Sequence, residues 1–252
     1  MAPAVQFAMA TRSLIAADVS VEFSGLSALD RVSLSVSPGE IVGLIGPNGS
    51  GKTTLVNAIT GQAALAGGRV LLGDEQISGL RPRDIALRGV SRSFQIVRLF
   101  NNMTVIENIE ASALAQGGGL RSAREKAAAL LDEFGLSGKA EELASSLSYG
   151  DKRRVEMARA LAADPAFLLL DEPAAGMNEA ESDALLHILA ELPRSRGLGL
   201  LIIDHDMPLI MRLCNRLHVL ASGRTIAEGA AEDVRKNPAV IEAYLGSGAS
   251  RA

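Results

Sequence analysis

The sequence predicts an α/β domain with a parallel core sheet, an antiparallel β-subdomain and a helical insert. Three observations carry this prediction. A buried-strand pattern at 40–45 leads into a glycine-rich loop and then a helix pattern. Before it, alternating apolar and polar residues at 14–23 and 32–36 indicate half-buried antiparallel strands. After residue 98 the chain is rich in Ala, Leu and Glu with helical periodicity, and strand patterns return only near residue 167.

The other elements follow in chain order. Strands are predicted at 69–72, 89–94, 167–170 and 200–203, and helices at 53–60, 104–115, 121–134, 150–162 and 179–192. The last helix lies between two strand patterns, which is the order of a parallel crossover unit. We expect one domain at 13–246 with its insert at about 98–160, and tails at 1–12 and 247–252.

Composition excludes several classes of protein. The 252 residues carry a net charge of -4, which gives no support to nucleic-acid binding. Cys214 is the only cysteine, so an intramolecular disulfide is impossible and a reduced, cytosolic setting is expected. The apolar runs have the length of strands, far below the roughly 20 residues of a membrane helix. The N-terminus lacks the basic leader and long apolar core of a signal peptide.

The glycine-rich loop matches the phosphate-binding pattern G-x-x-x-x-G-K-[ST] without a mismatch. Its residues are Gly46, Pro47, Asn48, Gly49, Ser50, Gly51, Lys52 and Thr53. Glycines let successive backbone N–H groups converge on phosphate oxygens, and the following helix adds its positive end. Lys52 can reach the β- and γ-phosphates, and the Thr53 hydroxyl can ligate Mg²⁺. The alternative is a turn without a ligand, but eight matching positions between a strand and a helix favour phosphate binding.

Two further strand patterns end in polar side chains. The strand at 167–170 is followed by Asp171 and Glu172, and the strand at 200–203 precedes His205. Ligands gather beyond the carboxyl ends of parallel strands, so these groups are expected beside the phosphate loop. Asp171 is placed to hold Mg²⁺ through water and Glu172 to act as general base. A solvated acidic strand end is the alternative, while His187 and His218 are interpreted as structural.

One segment resembles a known family. Residues Leu147-Ser148-Tyr149-Gly150-Asp151 resemble the L-S-G-G-Q signature of the nucleotide-binding subunits of ATP-binding cassette (ABC) transporters. In that family the signature of one subunit binds the γ-phosphate held by the phosphate loop of the other. Ser148 and Gly150 match, whereas Tyr149 and Asp151 depart from the pattern. An acidic side chain near phosphate is unfavourable, so Asp151 is expected to point away or to cap its helix.

The resemblance also implies roles for other residues. Phe23 corresponds to the aromatic that stacks on adenine, although an ordinary core aromatic is the alternative. Gln95 corresponds to the glutamine that contacts Mg²⁺ and water and joins the core to the insert. Thr54 follows the phosphate loop and is expected to bind nucleotide, residues 174–178 occupy the D-loop, and His205 is the switch histidine.

A narrower resemblance, to the branched-chain amino acid importer subunits, covers residues 94–108, 171–178, 205–207 and 237–246. It implies a subunit that binds ATP and Mg²⁺ and powers import from the cytoplasmic face of the plasma membrane. The implied partners are a second ABC ATPase subunit, identical or different, integral-membrane permease subunits and, indirectly, a solute-binding protein.

Several alternatives stay open. Subunits of urea or amide importers and of the lipopolysaccharide exporter look similar, and ABC ATPases outside transport are a further possibility. A P-loop kinase or GTPase lacks the element formed by Ser148 and Gly150. The apolar stretch 96–108 is interpreted as a docking surface for the permease, with Phe100 as an exposed anchor. The alternative is that all its apolar side chains pack inside.

Overall fold

The computed structural model describes residues 12–93, 97–117 and 119–246, and its strands form two sheets. One sheet has the order β2-β1-β4-β5, with β1 Leu14–Phe23, β2 Leu26–Val36, β4 Gly67–Leu72 and β5 Glu75–Gln76. The other has the order β10-β9-β3-β8-β7-β6. Its strands are β3 Ile41–Ile45, β6 Val90–Arg92, β7 Phe167–Asp171, β8 Gly199–Ile203, β9 Arg216–Ala221 and β10 Arg224–Gly229.

The helices of the described residues are numbered in chain order. They are α1 Lys52–Ile59, α2 Pro82–Leu87, α3 Val105–Leu114, α4 Leu120–Glu133, α5 Tyr149–Ala162, α6 Glu179–Arg196, α7 Met207–Leu213, α8 Ala231–Lys236 and α9 Pro238–Gly246. Helices α3, α4 and α5 lie between β6 and β7 in sequence and pack against one another, as the helical insert predicts. No helix of the described ranges is both long and apolar enough to span a bilayer.

The core of the six-stranded sheet is parallel and buried on both faces. Every residue of β3, β7 and β8 is buried, because one apolar cluster covers each face. β3 pairs with β8 and β9 in parallel, and β7 pairs in parallel with β8 across the α6 crossover. The crossover and the α/β class are therefore confirmed. The carboxyl ends of β3, β7 and β8 meet at one edge of the sheet.

Some elements differ from the sequence-based prediction. The antiparallel strands of the first sheet are confirmed, but β2 starts at Leu26. Helix α6 passes its predicted end and includes Pro193, which has no N–H to donate within the last turn. Gly197 then caps the helix with a left-handed φ of 65°. Strands β5 and β10 and helices α2 and α7 to α9 had no counterpart in the prediction.

Candidate nucleotide-binding and hydrolysis site

The predicted residues 48–54 of the phosphate loop and helix start converge with Asp171 and Glu172 on one cleft at the carboxyl edge of the core sheet. Its volume is about 450 Å³, and its lining combines the phosphate loop, the end of β7 and the β9–β10 turn. The lining residues are Ser27, Ala28, Asn48, Gly49, Ser50, Gly51, Lys52, Thr53, Thr54, Asp171, Glu172, Ile203, Ser222 and Gly223. A single cleft thus brings together residues that are far apart in the chain.

The phosphate loop is held in place by its backbone. Gly51 begins α1 with φ 105°, and a Cβ there would lie 2.9 Å from the Ala28 carbonyl oxygen, so only glycine fits. The N–H of Gly223 donates to the Ser50 carbonyl at 3.0 Å, which ties the loop to the β9–β10 turn. These constraints fix the loop's backbone at the N-terminus of α1, where anions are favoured.

Lys52 lies across the loop that it follows. Its Nζ donates to the carbonyl oxygens of Gly46 at 2.7 Å and Pro47 at 3.0 Å. Burial lowers the pKa of Lys52, and the charges of Asp171 and Glu172 act in the opposite direction. The ammonium is therefore held close to the place where the loop N–H groups converge.

Asp171 is buried at the end of β7 and pairs with a residue that sequence reasoning missed. Arg92, the last residue of β6, places Nη2 at 3.2 Å from Asp171 Oδ2. Arg92 also donates to Asn57 Oδ1 on α1. Burial raises the pKa of Asp171, while the charge and hydrogen bond of Arg92 lower it. Arg92 and Asp171 meet because β6 and β7 are neighbouring parallel strands. The residues around Arg92 in the sequence do not predict this pairing.

Glu172 has a strained backbone with φ 47°, in a region that non-glycine residues seldom adopt. Its N–H donates to the Ile203 carbonyl at 2.8 Å, which joins it to the end of β8. His205 Nδ1 lies 3.3 Å from Glu172 Oε1, and the His205 side chain is 76% exposed. The backbone therefore aims the carboxylate beside the exposed imidazole, while the roles of general base and switch histidine stay predictions.

The signature segment, residues 147–151, is on a different surface. Ser148 is the N-cap of α5, and its Oγ accepts a hydrogen bond from the Asp151 N–H at 3.1 Å. Ser148 and Gly150 do not line the cleft among the described residues. The Tyr149 ring packs on Gly176 of the D-loop, where a Cβ would approach Cε1 to 2.9 Å. Tyr149 thus makes a contact within the chain that the usual glycine could not make.

Asp151 points away from the phosphate-facing end of α5. Its buried carboxylate pairs with Lys139 and with Arg154. Burial by itself raises the pKa of Asp151, but hydrogen bonds from Lys139 and Ser148 and the charge of Arg154 outweigh it, so the pKa is lowered. The carboxylate is therefore neutralised inside the insert.

Arg153 joins the signature helix to the acidic strand. Its fully buried guanidinium donates to the carbonyl oxygens of Asp171 and Glu172, both at 2.8 Å, and of Pro173 at 3.2 Å. Nη1 also pairs with Glu156 at 2.8 Å. From the sequence Arg153 is one of three basic residues at a helix start. The signal that could have found it is its i,i+3 spacing from Glu156 on the buried stripe of α5.

Three other predictions have mixed outcomes. Phe23 is 52% exposed, so the interpretation as a core aromatic is wrong, and stacking on adenine stays a prediction. Gln95 lies outside the described residues. His218 is fully buried between Thr225 and Glu228, which confirms its structural role. A residue without any prediction, Tyr244 of α9, hydrogen-bonds the backbone of Gly46, so the last helix reaches the phosphate loop.

The residues present fit a nucleotide with Mg²⁺. Thr53 and Asp171 line the same cleft and offer the hard oxygen ligands that Mg²⁺ prefers. The loop supplies backbone N–H groups and one ammonium for phosphate, in a cleft where a Cβ at Gly51 or Gly223 would collide with the Ala28 carbonyl oxygen. Fold and site together define a nucleotide-binding domain of the phosphate-loop class.

Comparison with known proteins identifies the family. The model of the ABC transporter family matches residues 29–175, and that of the branched-chain amino acid ATP-binding cassette transporter matches residues 224–250. The chain is 44% identical over 241 residues to the high-affinity branched-chain amino acid transport ATP-binding protein LivG of Escherichia coli K12. That alignment covers 90% of this chain and 94% of LivG. The protein belongs to the ABC transporter family.

A further relative and two solved structures are similar to the chain over most of its length. The lipopolysaccharide export system ATP-binding protein LptB of Haemophilus influenzae is 38% identical, over 92% of this chain and 97% of LptB. The ADP conformation of the cassette MJ1267 superposes with a TM-score of 0.83 at 32% identity, covering 93% and 99% of the two chains. The dimeric bacterial cassette MJ0796 gives 0.78 at 25% identity, covering 86% and 98%.

Proposed function

We propose that this chain is the ATP-hydrolysing subunit of an importer for branched-chain amino acids. One observation carries the proposal of hydrolysis: the phosphate loop, Asp171 and Glu172 line one cleft, and His205 contacts Glu172. The solute class is supported by the higher identity to LivG than to LptB, and by the branched-chain match at the C-terminus. These relatives disfavour the lipopolysaccharide exporter and ABC ATPases outside transport.

Binding begins with the phosphates of ATP at the loop. Backbone N–H groups at the start of α1 and the Lys52 ammonium hold them, and Thr54 adds a further polar contact. Thr53 and Asp171 would hold Mg²⁺, which supplies positive charge to the β- and γ-phosphate oxygens. Phe23, exposed at the end of β1, would cover one face of the adenine.

Hydrolysis is an in-line attack of water on the γ-phosphorus that breaks its bond to the β–γ bridging oxygen, so that ADP and inorganic phosphate are released. Glu172 accepts a hydrogen bond from that water and orients it, and its strained backbone sets the direction of the carboxylate. His205 lies beside Glu172 and would face the γ-phosphate, with Gln95 expected to complete the water's environment. Ser148 and Gly150 of a second cassette subunit would add the N-terminus of α5 and stabilise the charge of the transition state.

This assignment places the chain in a larger assembly. A head-to-tail dimer with an identical or different cassette would bring each signature segment to the other's cleft. The dimer would work on the cytoplasmic face of the plasma membrane, beneath permease subunits that receive solute from a binding protein.

The first experiment tests Glu172. Glu172→Gln keeps the shape of the side chain but removes the base, so we expect unchanged ATP binding and turnover lower by roughly 10²-fold or more. Steady-state hydrolysis and binding of a fluorescent ATP analogue measure the two effects. Glu191→Gln, an exposed change at the far end of α6, should alter neither. Turnover of Glu172→Gln close to wild type would refute the role.

The second experiment tests docking of the permease. Phe100 is 54% exposed and lies 5.7 Å from Arg159, measured from the ring centre to Cζ. The Phe100 N–H donates to Asn108 Oδ1 at 2.8 Å, and Asn108 Nδ2 donates to the Phe100 carbonyl oxygen at 3.1 Å. The ring is therefore presented outward on a fixed turn, while Val105 and Ile106 of the same stretch are core. The interpretation that every apolar side chain of the stretch packs inside is wrong.

Phe100→Ala should leave the melting temperature and the ATPase activity of the isolated chain almost unchanged. The same change should reduce co-purification with the permease, or solute-stimulated hydrolysis, by about tenfold, as expected for an interface anchor. Leu120→Ala, which removes another exposed apolar side chain of the insert, serves as the matched control. Normal assembly and stimulation of Phe100→Ala would place the docking surface elsewhere.

A further inference from the structure

Arg92 connects three parts of the molecule through one buried side chain. It ends β6, donates to Asn57 on the phosphate-loop helix and pairs with Asp171 at the end of β7. The side chains of Arg92 and Asp171 are 8% and 7% exposed. Because the pair has little contact with solvent, its charges interact strongly and the removal of one partner is costly.

The pair is formed by the carboxylate that is expected to hold the metal. Arg92 Nη2 donates a hydrogen bond to Asp171 Oδ2 at 3.2 Å. A divalent cation at Asp171 must share that carboxylate with the guanidinium or displace it. In either case a positive charge next to the carboxylate opposes the approach of a second positive charge. Arg92 is therefore placed to lower the affinity of the site for cations.

The same residue also belongs to a second cleft. A groove of about 420 Å³ lies between α2, β6, α3 and α5, and Arg92 is part of its wall. Arg83, Gln116 and Arg159 line it as well. The groove adjoins Phe100 through Arg159, so a partner docked at Phe100 is next to the groove. Arg92 thus contacts a residue of the nucleotide cleft from within the wall of the groove.

We propose that Arg92 is a positioning residue that shares Asp171 with the divalent cation, and that an occupant of the groove changes cation affinity through it. The proposal rests on the function proposed above, since it takes Asp171 as a metal-holding residue and a permease segment as the occupant. It assigns to Arg92 a coupling role between the groove and the nucleotide cleft. It predicts that Arg92 weakens the dependence of nucleotide binding on Mg²⁺ in the isolated chain.

The first arm measures binding only. The dissociation constant of a fluorescent ATP analogue is determined in Mg²⁺ and in EDTA, and their ratio gives the factor by which Mg²⁺ tightens binding. In Arg92→Met this factor should rise about tenfold, since the site loses one positive charge. Arg159→Met is the control: Arg159 is a cation of the same groove, but it lies over the Phe100 ring. The factor by which Mg²⁺ tightens binding should stay within twofold of wild type in this variant.

Arg92→Lys covers the case in which the methionine variant does not fold. An ammonium keeps the charge but lacks the fork that holds Asn57 and Asp171 together, so the factor should rise by less. An unchanged or smaller factor in the folded Arg92 variants overturns the proposal. A wild-type chain that binds no nucleotide in either buffer contradicts the proposed function itself, which distinguishes the two failures.

The second arm tests the link to the groove. The same ratio is measured for wild type alone and for wild type assembled with its permease in lipid nanodiscs. The two values should differ in wild type, and the difference should disappear in Arg92→Met. Equal values in wild type, or a difference that persists in Arg92→Met, would overturn the coupling. A wild-type chain that binds ATP but joins no permease contradicts the proposed function and the coupling with it.

Discussion

The nucleotide cleft and the signature segment are both predicted to bind phosphate, yet the chain builds them in different ways. The cleft collects a loop, two strand ends and a turn within one chain, and its backbone is fixed by buried strands and close contacts. The signature segment offers one helix N-terminus with an exposed Ser148. It has no partner loop on its own surface among the described residues. One half of the proposed site is therefore assembled within the chain, whereas the other half is proposed to act on the cleft of a second subunit.

Arg153 is where the two halves meet, and its loss should have the largest effect. Arg153→Met leaves Glu156 buried without its partner and removes donors from three carbonyl oxygens at the acidic strand end. We expect the free energy of unfolding to fall by about 3–5 kcal/mol. Urea denaturation measures it, with Lys152→Met as the neighbouring control. A loss below about 1 kcal/mol would show that the halves are joined by other contacts.

Ser148→Arg tests the division between the halves directly. A long charged side chain at the N-cap should block the approach of a second subunit, while the cleft of its own chain is untouched. ATP binding to the monomer should stay within about twofold of wild type, and ATP-driven dimerisation should weaken by at least roughly 10²-fold, about 3 kcal/mol. Labelled ATP titration and oligomer mass separate the two quantities.

The controls for Ser148→Arg change one residue of the nucleotide cleft and one residue far from both regions. Lys52→Ala should show the opposite pattern, because it removes the phosphate-binding ammonium and weakens binding to the monomer itself. Ser195→Arg, at the exposed end of α6, should change neither quantity. Loss of monomer binding in Ser148→Arg would mean that the signature segment serves its own chain's cleft.

Tyr244→Phe should have the smallest effect and sharpens the description of the cleft. It removes one hydroxyl that hydrogen-bonds the Gly46 backbone, so at most about 0.5–1.5 kcal/mol is lost from the loop. We expect ATP affinity to fall by a few-fold, with little change in melting temperature. Tyr149→Phe, a change in the signature segment, should leave monomer affinity unchanged. Equal affinities in wild type and Tyr244→Phe would limit α9 to packing.

The sequence predicted the parts of the site that local pattern controls. A complete phosphate loop between a strand and a helix, and acidic or histidine residues after apolar runs, place Lys52, Asp171 and His205 without knowledge of the fold. Parallel strands then bring their ends to one edge, so the cleft follows from topology. The departures at Tyr149 and Asp151 were visible in the sequence, but their partners Gly176 and Lys139 were not.

What the sequence could not predict depends on tertiary contacts of charged side chains. Arg92 carries no local sign that distinguishes it from a solvated basic residue, and Arg153 has only its i,i+3 spacing from Glu156. They are buried because carbonyl and carboxylate oxygens surround them in the folded chain, and burial of a charge requires such partners. Strand β10 and helices α7 and α8 were missed for another reason: no residue of β10 is buried, and the two helices span only seven and six residues.

The contact between Tyr244 and Gly46 has a consequence for how the protein is made. Gly46 leaves the ribosome well before Tyr244. The hydrogen bond between them therefore forms only after α9 has been synthesised and has docked. Contacts between such distant residues form slowly because a long loop must close first. The few-fold of ATP affinity that Tyr244 is expected to contribute should therefore appear only after α9 has been synthesised and has docked.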